Sequence, residues 1–241
     1  MTTPAQRRAA DAHRASAIAE ATSSLAAGIT LIASEGWSPA AGQSSLQLVS
    51  SGVERLAKLT IGLMVEAEEG AFPNQKTLKG YGHHVEKLLR ALAARIRTQA
   101  TREGRGYVLG LLDALEADPY WPDLIKALDL AAAAKGGRYV HLSALGGTQL
   151  EGAGVQEIWQ GLDDRAAVEL GVLGELSGPA SRAVLMRVRR RILLPLVRWW
   201  SLVVRVWQHG LAGPVARRSS TEVRLEWSAL PEELGTFARS L

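Results

Sequence analysis

Two amphipathic repeats joined by a Pro-Asn turn, over residues 50–94, constrain the fold more than any other feature of the chain. Leu46, Val49, Val53, Leu56, Thr60 and Leu63 recur at steps of three and four, which places them on one stripe of a helix. Gln47, Ser51, Glu54 and Lys58 follow the same spacing on an offset line. Glu54 and Lys58 lie one turn apart in the favourable acid-then-base order. That line reads either as a solvated face with one ion pair or as a functional edge. After Pro73-Asn74, Val85, Leu88, Leu89, Leu92 and Ile96 form the stripe of a second helix, with His83 and His84 at its start. Packed antiparallel, the two helices are expected to bring the Glu54-Lys58 pair near the His83 imidazole.

SGVERLAKL on one helix, a proline-marked turn and YGHHVEKLL on the next resemble the HEPN superfamily (higher eukaryotes and prokaryotes nucleotide-binding), especially its bacterial abortive-infection members, over about residues 46–96. Matched residue by residue, Glu54 and Lys58 take the family's helix pair, His83 takes its histidine, and Tyr81 lies in the same segment. His84 stands where the family has Asp, which weakens an acid role at that position. The resemblance implies an all-α up-and-down bundle that pairs as a homodimer and binds RNA or a nucleotide in anti-phage defence or stress response. It also implies a test. HEPN ribonucleases carry an Arg, four to six residues, then a His, the Arg holding the scissile phosphate and the His serving metal-free chemistry. Here that spacing occurs only at Arg7/Arg8 to His13, far from the family's usual place. Activity as a metal-independent endoribonuclease is therefore left open.

At 241 residues, with 47% hydrophobic and 22% charged content, the chain can bury one large core or two small ones. Cys is absent, which excludes disulfide frameworks and thiolate sites. The first residues have arginines but no apolar run behind them, and no segment approaches the roughly 18 uninterrupted apolar residues of a membrane span, so a cytoplasmic protein is expected. Charge is uneven. From residue 179 onward 11 Lys/Arg stand against 4 acids, while the remainder holds 17 against 20. A basic C-terminal third on a mildly acidic body fits an anionic partner, or attraction between two parts of one chain.

Taken in order, Thr3-Pro4 opens a helix that reaches to about Ser34, closed by Gly36 and Pro39. The hairpin follows, then short helices before Pro119 and after Pro122. Residues 1–135 thus form a helical bundle. Residues 136–154 contain six glycines and no helical period, which predicts a loop with one short strand around 138–142. Residues 155–241 form a helical extension that either packs on the bundle or stands as a separate domain. Within it, residues 180–209 predict a helix apolar nearly all round with one cationic line of Arg187, Arg191, Arg198, Arg205 and His209. Those arginines require carboxylates, phosphates or water. Pro195 predicts a kink or a break. Residues 221–227 read as a strand and residues 231–240 as a final helix.

No HExxH, GxxxxGK[ST] or helix-opening GxGxxG occurs, so neither metal nor cofactor is expected. The catalytic candidates are Arg205 with His209, ahead of Arg138 with His141. Glu54, Lys58, Tyr81, His83, Arg187, Arg191 and Arg198 are the binding candidates. Three readings of the basic helix compete: a core or dimer helix with a solvated arginine line, a nucleic-acid face, and a membrane-surface helix.

Overall fold

The computed structural model describes residues 4–34, 38, 42–132, 154–176 and 181–241. In chain order the helices are α1 (Pro4–Ile32), α2 (Gln43–Glu69), α3 (Gln75–Lys79), α4 (Val85–Arg102), α5 (Gly106–Glu116), α6 (Trp121–Ala132), α7 (Val155–Glu169), α8 (Ser181–Gln208), α9 (Gly213–Arg218), α10 (Ser220–Leu225) and α11 (Glu232–Ser240). Two 3-10 turns, Leu173–Glu175 and Glu226–Ala229, complete the described regular structure. The protein is an all-α bundle, and no strand occurs among the described residues.

Every residue of the stripe read from Leu46 to Leu63 is buried. Burial then spreads all round α2 between Leu59 and Val65, because α1, α4, α6 and α9 each cover part of its surface. The closest of these packings is with α1, and it rests on two glycines. A Cβ at Gly52 would lie 2.7 Å from the Leu25 nitrogen, and one at Gly28 would lie 2.8 Å from the Val49 nitrogen. Glycine here permits backbones to approach where any side chain would force them apart.

The second organising helix is α8. α5, α6, α7, α9, α10 and α11 all pack on it. Of the kink or break expected at Pro195, the break does not occur, because the proline lies inside one helix without ending it. Proline removes one internal hydrogen bond, and the dense burial of Ile192, Leu193, Leu196 and Val197 on both sides of it holds the helix together. Trp199, Trp200 and Trp207 are core residues. Trp207 Nε1 donates to Thr60 Oγ1 at 3.1 Å, tying the end of α8 to the middle of α2 across 147 positions of sequence. Buried side chains from residues 4–132 and from the C-terminal helices belong to one core cluster.

Two local expectations are corrected. Residues 221–227, read as a strand, fold as α10 and the start of the following 3-10 turn. Val223 and Trp227 are four apart and both buried, a helical spacing that the alternation of β-branched and apolar residues concealed. The hairpin turn also contains α3, opened by Asn74, whose side chain accepts a hydrogen bond from the Thr77 nitrogen at 3.0 Å. The strand expected at 138–142 lies outside the described residues.

Among the described residues one stretch, Arg8–Ile32 of α1, is long and apolar enough to cross a membrane by length and composition. Of its most apolar window 44% is buried inside the fold, as expected of a helix whose apolar side serves a protein core.

Candidate functional site

The hairpin brings together the three side chains that the sequence placed on facing helices. Lys58 Nζ donates to Glu54 Oε1 at 2.6 Å and to the Gly82 carbonyl at 2.7 Å, while His83 Nδ1 lies 3.1 Å from Glu54 Oε2. Glu54 and Lys58 are largely covered, with 14% and 18% of their side chains exposed, so this is no solvated face. The His83 ring is 73% exposed. Both carboxylate oxygens of Glu54 are engaged, and Lys58 bridges the two helices. The cluster therefore clasps the start of α4 onto α2. Tyr81 faces elsewhere, into a hollow shared with Ile61, Phe72, Asn74 and Arg95. His84 is the N-cap residue of α4 but makes no side-chain capping bond.

The cationic line of α8 divides into two unlike parts. Along its first turns the arginines meet acids. Arg190 pairs with Glu233, and the buried Arg189 lies in the field of Asp163. Arg191 Nε donates to Glu169 at 2.9 Å, and Arg198 Nη1 donates to Asp118 at 3.0 Å. The guanidiniums of Arg191 and Arg165 lie 4.3 Å and 4.7 Å from the centroid of the Tyr120 ring. Tyr120 in turn donates to Glu169 at 2.5 Å, and burial followed by that carboxylate pushes its phenol up to about 12. Of the residues expected to bind along this line, Arg191 and Arg198 thus serve the packing of α5, α6 and α7 on α8. Arg187 alone of the three is exposed. The apolar sides of α8 are buried, so the helix presents no broad apolar face to a membrane surface.

At the C-terminal end of α8 the pattern reverses. Gly210, in the left-handed conformation at φ 73°, ends the helix. Its nitrogen donates to the Trp207 carbonyl and the Leu211 nitrogen to the Val206 carbonyl, a Schellman pair that leaves His209 as the capping residue. α4 ends in the same way at Gly104, φ 64°, with the Arg105 nitrogen donating to the Ala100 carbonyl. The two capped ends meet: Arg102 and Glu103 share the lining of one hollow of about 310 Å³ with Gly210, Leu211 and Gly213. The Arg217 Cδ comes within 3.8 Å of where a Cβ would stand on Gly210. Arg205 Nη1 donates to Gln208 at 2.9 Å, while its buried Nε makes no hydrogen bond. Partial burial first, then the charges of Arg105, Arg205 and Arg217, hold the His209 imidazole below its ordinary value.

No salt bridge to Arg105, Arg205 or Arg217 occurs among the described residues. The neighbouring acids are already engaged, Glu103 by Arg102 and Glu68 by Arg95 and Gln99. The charges of Arg105, Arg205 and Arg217 all act on His209, and Arg105 and Arg217 are exposed, so this end of the molecule is cationic. Arg205 and His209 were singled out in the sequence; Arg105 and Arg217 were not. The glycines that cap α4 and α8 mark where Arg105 and His209 fall, but only tertiary packing reveals that these ends meet.

The two clusters are separate. Gly213 contacts α2 at Ala67, 13 residues beyond Glu54, or about 20 Å along the helix axis. Arg138 and His141 lie outside the described residues. Among the described residues no group of three or more His, Asp or Glu is placed to hold a metal ion. No protein-family profile matches the chain, and no curated protein or solved structure matches it.

Proposed function

We propose that this protein is a HEPN-like helical bundle that binds the phosphates of RNA or a nucleotide, and that it works as a homodimer in bacterial defence or stress response. The observation that carries the binding reading is the contrast along α8. Arg189, Arg190, Arg191 and Arg198 are matched by Asp163, Glu233, Glu169 and Asp118, whereas no salt bridge to Arg105, Arg205 or Arg217 occurs among the described residues. Arg105 and Arg217 are exposed, so their unmatched charge is open to an anion from solution. The contact of Glu54 and Lys58 with the segment that opens α4 supports the kinship, since those positions carry the resemblance.

Fluorescence anisotropy with a labelled single-stranded RNA tests the reading. Binding is expected to weaken steeply between 50 and 200 mM salt, as displacement of counterions requires. The double substitution Arg105→Glu with Arg217→Glu is expected to weaken it by at least about tenfold. Binding that ignores both salt and charge reversal would sink the proposal.

A second reading has one observation in its favour. Partial burial and the charges of Arg105, Arg205 and Arg217 hold His209 below its ordinary value, which favours the neutral imidazole. A neutral imidazole so placed can accept the proton of an RNA 2′-hydroxyl. Incubating the protein with RNA in EDTA beside His209→Ala separates the readings: cleavage lost in the variant marks a metal-independent ribonuclease, and intact RNA leaves a binding module.

A further inference from the structure

We propose that a cavity between α4, α5, α6 and α8 binds an uncharged aromatic molecule of about ten non-hydrogen atoms that carries one O–H or N–H donor. None of Arg105, Arg205, Arg217 and His209 lines this cavity, so it is a site apart from the cationic end of the molecule.

Size and lining set the class of guest. The cavity holds about 270 Å³, and apart from Glu86, Arg90 and Glu116 every residue that lines it is apolar. Its inner wall belongs to the core, since Leu112, Trp199 and Leu202 are buried. Arg90, Glu116 and Pro122 are exposed, so the cavity opens to solvent on their side. Close-packed interiors leave few voids larger than a water molecule, whereas an apolar recess with a few polar groups at its edge is the ordinary form of a small-molecule site. An apolar cavity of about 150 Å³ accepts benzene, and in proportion this one has room for about ten non-hydrogen atoms. Trp121 and Trp199 both line it. Indole walls favour an aromatic guest over an aliphatic one of equal size, because offset-stacked and edge-to-face ring contacts add to the gain from buried area.

The opening decides the charge. Glu86 accepts from Arg90, and Glu116 accepts from Arg97 at 2.6 Å, while Arg97 also donates to Asp113 at 3.0 Å. Each charge that lines the cavity is therefore matched by the protein itself. An ionic guest would enter apolar walls without a counter-ion and lose its hydration there. A carboxylate has about four acceptor positions, so Glu86 and Glu116 can each accept one more hydrogen bond while keeping their arginines. They suit a single donor on an otherwise apolar body.

Titration calorimetry tests the site with phenylpropanol and with two charged analogues of nearly the same size, phenylpropanoate and phenylpropylammonium. Phenylpropanol is expected to bind with a Kd below about 1 mM, and at least about tenfold more tightly than either ion. Ala93 is a half-buried residue of the lining, and Ala93→Phe is expected to fill the space and abolish binding while circular dichroism remains unchanged. Glu116→Gln, at an exposed position, leaves Arg97 its bond to Asp113. With one carboxylate fewer at the opening, that variant is expected to bind phenylpropanoate within about threefold of phenylpropanol. If Ala93→Phe does not fold, the Glu116→Gln comparison decides alone. Absence of phenylpropanol binding at millimolar concentration, equal affinity for all three probes, or binding that a folded Ala93→Phe leaves unchanged overturns the proposal.

Discussion

Asp163 shows how one buried group can set a pH dependence for the whole fold. The residue is 5% exposed, and burial pushes its carboxyl up to about 6 despite the opposing field of Arg189. The folded value lies above the unfolded one near 3.9. The contribution to stability is therefore fully present below about pH 3.9 and lost as pH rises through 6. About two pKa units correspond to roughly 3 kcal/mol across that window. Urea denaturation at a series of pH values should show this slope in the wild type and lose it in Asp163→Asn. The slope isolates the titration better than absolute stability does, because the substitution also removes the charge that faces Arg189. An unchanged slope in the variant would place the titration elsewhere. Spacing alone separates Asp163 from Asp164 beside it, since Asp163 falls four residues after Trp159 and three before Ala166 on the buried stripe of α7.

Helices were easier to read than the contacts between them. The hairpin was legible because its apolar positions keep one period across two elements, and the residues that open α4 then land beside Glu54 and Lys58. Residues 221–227 were misread because a period of two and a helical period coincide over so short a run, and packing against α1 and α8 decides the outcome. The role of Gly28 and Gly52 was also hidden, since glycine inside a helix reads simply as a weak helix former. That ambiguity makes a decisive measurement. By propensity, Gly52→Ala gains about 1 kcal/mol. By the 2.7 Å approach to the Leu25 nitrogen it loses on the order of 1–3 kcal/mol through overpacking. The expected net result is destabilisation in urea unfolding, and a stabilised variant would show that α1 and α2 can part at little cost.

Across the whole molecule, the charge imbalance between the C-terminal third and the body is settled in part within the chain, where Arg189, Arg191 and Arg198 meet acids of the body. Asp118 is the main junction. With 5% of its side chain exposed, it accepts from Arg198 at 3.0 Å and from the Tyr120 nitrogen at 3.0 Å, and lies 3.6 Å from Arg191. Removing one partner of such a buried network leaves charges uncompensated. Asp118→Ala is expected to cost about 3–5 kcal/mol in urea unfolding; a loss below about 1 kcal/mol would mean that these pairs behave as surface pairs do. The total charge was readable from the sequence, whereas the division of α8 into neutralised and unneutralised arginines was not. It depends on acids from the α5–α6 turn, α7 and α11.

The bond between Thr60 and Trp207 has a consequence during synthesis. With 147 positions between them and translation at about 5–20 residues per second, the helix bearing Thr60 leaves the ribosome roughly 7–30 s before its indole partner exists. Through that interval the early bundle lacks its final layer and displays the apolar bed that α8 will occupy. Each nascent copy therefore passes through a stage at which chaperones, or its siblings on the same polysome, meet a surface the finished protein never shows.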